Sequence, residues 1–150
     1  MMDNKKQSAD VSLLQEIYKS VTMGTDSVMT ILGKVEDATL KENLSQDLET
    51  YEGYSKRAKE KLREMSVEPK GVNALQKIPA EMGIAMSTLT DHSNAKMAEL
   101  MINGAVMGVT EFKEIIRNAD EAGASIENIR LAGDVLAFHE EMINKMRRYL

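Results

Sequence analysis

A chain of 150 residues that is 43% hydrophobic and 29% charged is sized for one ordinary globular domain, in which roughly 68–70% of the unfolded surface becomes buried. Two prolines, nine glycines, two phenylalanines and no tryptophan, beside abundant Leu, Met, Ala, Glu and Lys, match helix rather than sheet propensities, so an all-α fold is expected. A formal charge of −5 argues against a nucleic-acid partner, whose binding proteins display a basic face to phosphate.

The lack of cysteine excludes disulfide staples, thiolate zinc sites and cysteine nucleophiles, and suits a reducing cytoplasm. The opening "MMDNKKQSAD" is polar, with no apolar run behind it; residues 1–9 read as a flexible tail and not as a signal peptide. "LMINGAVMGV" (100–109), the most apolar window, is about ten residues, half of what a membrane span requires. A soluble, cytoplasmic protein is the expectation.

From Val11 the positions Val11, Leu14, Tyr18, Val21, Thr25, Val28, Leu32 and Val35 keep a 3-4-3-4 spacing, one continuous stripe on a first helix. "VEDAT" breaks it. Thr39 and Glu42 have the form of a capping box, which predicts a second helix from residue 39 or 40 with an inward series Leu44, Leu48, Tyr51, Ser55, Ala58, Leu62 and Met65, closed by Pro69 and Gly71. The short connection makes the first two helices an antiparallel hairpin. Its basic run "SKRAKEKLRE" (55–64) is interleaved with Glu60 and Glu64 and reads as a solvated face near a helix C-terminus, where cations favour the dipole.

A single helix over 79–119 would be about 41 residues and roughly 60 Å long, against about 40 Å for partners of about 27 residues. A break is predicted at "TDHSN" (90–94), whose Thr, Asp, Ser and Asn side chains can cap a new N-terminus near Asn94. The third helix then carries Ala98, Met101, Ala105, Gly108, Phe112, Ile115 and Ala119 inward and stops at Gly123. Ser125 is placed to cap a fourth helix with the series Ile129, Ala132, Leu136, His139, Ile143, Met146 and Leu150. "PAEMGIAMSTLT" (79–90) is left as a short helix crossing between the second and third. The expected architecture is an up-down four-helix bundle with one short crosser, in a single domain over 1–150.

This order of elements, with "LLQEIYKSVTMGTDS" in the first helix, "VEDATLKENL" at the first turn, "EPKG" after the second helix and "MINGAVMGVTEF" in the third, resembles the ferritin-like, rubrerythrin-like bundles and a bacterial branch of that superfamily. The resemblance covers nearly the whole chain. In metal-binding members, two helices each supply a Glu and two each supply a Glu-x-x-His to a di-iron core. At the corresponding heights this chain has Thr25, Leu48 with Tyr51, Ala105, and His139 preceded three residues earlier by Leu136. His92 follows Leu89 in the same way, so neither histidine completes the motif. The resemblance thus implies a ferritin-like bundle without the usual carboxylate site, no resident cofactor, and a role as a binding or interaction module rather than an enzyme. The alternative is a metal-handling protein or oxidoreductase that binds iron through Glu49, Glu52, His139 and Glu140 in a shifted register.

His139 lies in the inward series, where it can meet Thr25, Tyr51 and Ser55 in a mid-bundle polar layer. A core histidine held by a hydroxyl and a small-ligand pocket lined also by Ala105 and Gly108 are the two readings of that layer. Met82/Met86, Met97/Met101 and Met142/Met146 are i,i+4 pairs that could offer thioethers to Cu(I), although core filling is the plainer role in a chain poor in aromatics. Leu100 and Met107 lie off the third stripe, either beneath the crossing helix or at a homo-oligomer contact. Asp91, His92 and Glu99 resemble a scattered metal site, but the helix break assigns "TDHSN" to capping. Nucleophile triads and phosphate loops are absent.

Overall fold

The computed structural model describes residues 4–70, 86 and 89–150. They form four long helices, α1 (Asn4–Leu32), α2 (Ala38–Glu64), α3 (Asn94–Ala122) and α4 (Ile126–Met146), followed by one 3-10 turn at Arg147–Tyr149 and no strand among the described residues. The all-α four-helix bundle is as the periodicity indicates. The short crossing helix expected over 79–90 lies almost wholly outside the described residues.

Local chemistry sets each boundary. Helix α1 begins at Asn4, so residues 4–9 are its opening turns and not a tail, and Ala9 and Asp10 are already buried. The first turn of α2 is capped by Asp37, whose Oδ2 accepts the Leu40 amide at 2.9 Å. This replaces the Thr39/Glu42 box, because an extended Asp37 presents its carboxylate to the free amides two residues earlier. The same helix stops well before Pro69. The Val67 amide donates to the Leu62 carbonyl and the Ser66 amide to the Arg63 carbonyl, both at 2.9 Å, around Ser66 at φ 60°. This is a Schellman ending built on serine, with Val67 packed against the core.

The break at "TDHSN" is present. Ser93 caps α3 by accepting the Lys96 amide at 3.2 Å, and Asp91 in turn accepts the Ser93 amide at 2.9 Å. Those hydrogen bonds from Ser93 hold the exposed Asp91 carboxyl below its usual pKa. Glu99 faces outward beside Lys96 at 3.5 Å. The helix ends at Gly123, whose φ of 81° is the left-handed geometry that glycine adopts without a Cβ penalty. Ser125 precedes α4, yet its side chain makes no cap; its amide instead donates to Asp10 Oδ1 of α1 at 2.8 Å.

Helix α1 packs along α2, α3 along α4, and α1 against α3. Across the α2/α4 seam, Asn43 bonds Tyr149, Asp47 bonds Lys145 at 2.8 Å, Tyr51 meets His139 and Lys61 pairs with Glu127. Numbers fall in one helix as they rise in the other, so α2 and α4 are antiparallel. Each neighbouring pair in the square is therefore antiparallel, with α1 and α4 running one way and α2 and α3 the other. The link from α2 to α3 has its two ends at opposite ends of the bundle, a one-crossover topology.

The core confirms the third stripe completely: Ala98, Met101, Ala105, Gly108, Phe112, Ile115 and Ala119 are all buried. On α1 and α4 the buried face is rotated from the stripe read in the sequence. In α4 it runs through Leu131, Val135, Phe138 and Met142, together with Ala132, His139 and Met146, while Ile129, Leu136 and Ile143 are half-buried and Leu150 is exposed. Met86, Met97, Met101, Met142 and Met146 are all buried among apolar neighbours, which is the packing role of methionine; Met82 lies outside the described residues.

Candidate ligand-binding site

Four aromatic rings collect where α2 and α4 face one another at mid-height. The Tyr51 hydroxyl lies 2.8 Å from His139 Nε2. Phe138 meets Tyr51 edge-on at 4.9 Å between centroids, and Phe112 of α3 sits 5.5 Å from the imidazole. His139 is 3% and Tyr51 5% exposed. Burial pushes the His139 pKa down to about 4 and the Tyr51 phenol well above its ordinary value, so both are neutral at pH 7. The Nδ1 atom of His139 is buried without a hydrogen-bond partner among the described residues.

Two helical glycines admit these rings. A Cβ at Gly24 would stand 2.5 Å from Tyr51 Cε1, and one at Gly108 would stand 2.7–2.9 Å from three atoms of the His139 ring. Both distances are shorter than real Cβ contacts, so no side chain fits at either glycine while the rings stay in place. On the same side, α1 and α3 separate into an apolar cavity of about 100 Å³. Tyr51 and His139 line it, with Met101, Met142, Val28 and Ile31 as apolar walls and Ser20, Ser27 and Glu111 as its other polar groups. Glu111 reaches solvent, yet burial around its carboxyl raises its pKa, opposed by a hydrogen bond from Ser20.

Of the four residues expected in the polar layer, the structure joins Tyr51 and His139 and excludes the other two. Thr25 donates to the carbonyl of Val21 in its own helix at 3.0 Å. It lines a separate shallow groove between α1 and α2 with Ser55, Tyr18 and Thr22. Rotation of α1 by one position brings Gly24, not Thr25, over Tyr51. The shifted-register metal set does not assemble either: Glu49, Glu52 and Glu140 are exposed while His139 is buried. Among the described residues, no three His, Asp or Glu side chains cluster as metal ligands. Gly24 was missed in the sequence, although an unexplained glycine inside a helix, which costs about 1 kcal/mol against alanine, is itself a sign of close approach.

A second buried polar group stands one turn from Tyr51. Asp47 is 1% exposed, and its Oδ1 accepts from Lys145 Nζ at 2.8 Å while Oδ2 has no partner among the described residues. Burial raises its pKa, and the hydrogen bond and charge of Lys145 oppose the rise.

Neither a protein-family model nor a curated protein matches this sequence. A solved structure does share the fold: a conserved hypothetical protein from Mycobacterium tuberculosis superposes with a TM-score of 0.70 over 95% of this chain and 98% of its own, at 16% sequence identity. At that identity the likeness speaks for the four-helix architecture alone. Among the described residues, no helix is long and apolar enough to cross a membrane.

Proposed function

We propose that this is a ferritin-like bundle that works as a binding module, and that the cavity between α1 and α3, floored by Tyr51 and His139, takes a small, mostly apolar ligand. The ferritin-like assignment is supported by the single crossover between two antiparallel hairpins and by the residues quoted above. The observation that carries the binding role is the cavity itself: about 100 Å³ of space at mid-height, lined by Tyr51, His139, Met101 and Met142, where a close-packed interior has few voids larger than a water molecule.

A screen of small neutral molecules against the ¹⁵N-labelled protein tests the reading. Binders are expected to move the amides of Gly24, Ala105 and Gly108, and Ser27→Phe, which puts a ring into the cavity, is expected to abolish their effect. A screen in which no compound shifts these amides overturns it. So does stoichiometric iron uptake with ferroxidase turnover after reconstitution with Fe(II).

A further inference from the structure

The cavity has two unlike ends. Helices α1 and α3 run antiparallel, and the Ser20 hydroxyl donates to the Glu111 carboxylate across their seam, which fixes the register there. Numbers rising in α1 then meet numbers falling in α3, so Ser27 comes to the height of Gly104 and Ile31 to that of Leu100. All of these residues line the cavity. It is therefore a slot along the seam, roughly 16 Å from Ser20 to Ile31 at about 1.5 Å per residue. A volume of about 100 Å³ spread over that length is one chain wide, and it is less than the roughly 150 Å³ in which a dry cavity holds benzene.

The far end, at Val28, Ile31, Leu100 and Met101, is buried and apolar. At the near end Glu111 is exposed and stands on the lining itself, and with Met23 it is shared with a second groove that also carries Glu16, Lys19 and Glu114. Burial, and then the negative neighbours Glu16 and Glu114, disfavour the charged Glu111 carboxylate, against Ser20 and Lys19. Three carboxylates around one lysine repel an anion and attract a cation. A bare metal ion finds no ligand set, since no three His, Asp or Glu side chains cluster for one among the described residues. We infer that the slot takes an unbranched aliphatic amine as its ammonium ion, with the charged head on Glu111 at the Ser20 end and the alkyl chain laid along the seam towards Ile31 and Leu100. This rests on the reading of the α1/α3 cavity as a ligand site.

The test titrates n-hexylammonium, cyclohexylammonium, n-hexanol and n-hexanoate into the ¹⁵N-labelled chain at pH 7, where the amines are charged as lysine is. The linear ammonium is expected to bind about tenfold tighter than the alcohol, the step from a neutral to a charge-assisted hydrogen bond, and hexanoate more weakly than either. Shortening the chain to butyl should cost about fourfold per methylene removed. The cyclohexyl ring, with the same charge and number of carbons, should bind about tenfold more weakly than the chain because it overfills the slot. Glu111→Gln alters an exposed side chain and keeps an acceptor for Ser20. It should weaken hexylammonium about tenfold and hexanol less than about twofold. If ammonium and alcohol bind equally, or the glutamine variant holds hexylammonium as the wild type does, the cationic class is overturned while the cavity stays a binding site. A ring bound as tightly as the chain overturns the slot. Shifts from none of the four compounds at Gly24, Ala105 and Gly108 overturn both the inference and the site.

Discussion

His139 sets the pH response of the fold through the difference between its two environments. In the unfolded chain an imidazole protonates near pH 6.5; in the bundle, burial holds that step down to about 4. Between these values the unfolded state binds more protons than the native state, so stability falls as the pH drops from 6.5 towards 4 and is fully present above 6.5. The whole window is worth about 3 kcal/mol at 1.36 kcal/mol per pH unit. Urea denaturation at pH 7 and pH 5 should show the wild-type chain losing about 2 kcal/mol more than the Tyr51→Phe/His139→Phe variant. Identical losses would mean that His139 is protonated inside the native bundle. Asp47 behaves in the opposite sense, because its raised pKa makes the native state hold the proton more tightly, a contribution lost as the pH rises through that value. Replacing its partner by Lys145→Met strands a buried carboxylate and should cost about 3–5 kcal/mol at pH 7. The cost should be smaller at pH 5 than at pH 7, because lowering the pH favours the protonated carboxyl that burial already favours. A loss that is the same at both pH values would show that Asp47 does not change its protonation between them.

At the scale of the helix, four glycines with the same intrinsic penalty should respond in opposite directions to one methyl group. Gly53 in α2 and Gly133 in α4 have nothing within 4 Å of an added Cβ, so alanine there should raise stability by about 0.5–1 kcal/mol through helix propensity. At Gly24 and Gly108 the same methyl meets the Tyr51 and His139 rings, and overpacking of about 1–3 kcal/mol outweighs the gain. Thermal melts of the four single variants check the sign in each case. The contrast also marks how far the elements were legible beforehand. The third helix's stripe was read correctly because Gly108, Ala105 and Phe112 lie on one face and its two ends carry strong signals in Ser93 and Gly123, although Leu100, placed off that stripe, and Met97 are buried as well. In α1 and α4 half of each stripe was read in phase, Leu14, Val21 and Val28 and then Ala132, His139 and Met146, while the positions between them lie one residue off the buried face. Each touches two neighbours and buries a face wider than a single 3-4 stripe, so Tyr18 or Leu136 scores as well as Ile17 or Val135. The phase error moved Thr25 into the polar layer and Gly24 out of it. Asp37 was missed as a cap because Thr39 and Glu42, two residues later, match the same local pattern.

Across the whole molecule, two antiparallel hairpins meet along two unlike seams. The α2/α4 seam is held by aromatic contacts and ion pairs, whereas the α1/α3 seam opens into the cavity at mid-height. No local sequence pattern reports that pairing, since each hairpin looks alike from its own turn. At the end of the α1/α3 seam a further buried group ties the hairpins. Asp10, 5% exposed near the start of α1, accepts the amide of Ser125 in the turn between α3 and α4, and stands in for the cap that the Ser125 side chain does not make. Removing the acceptor with Asp10→Ala leaves a helix-terminal amide unsatisfied against the end of the bundle, a loss of about 1–3 kcal/mol. Asp10→Asn keeps a carbonyl oxygen in the same place and should cost under about 1 kcal/mol. Denaturation measures the totals. Amide exchange locates them, with Ser125 expected to lose protection in the alanine variant and keep it in the asparagine variant. If alanine and asparagine behave alike, the Asp10 contact has no part in closing that end of the bundle.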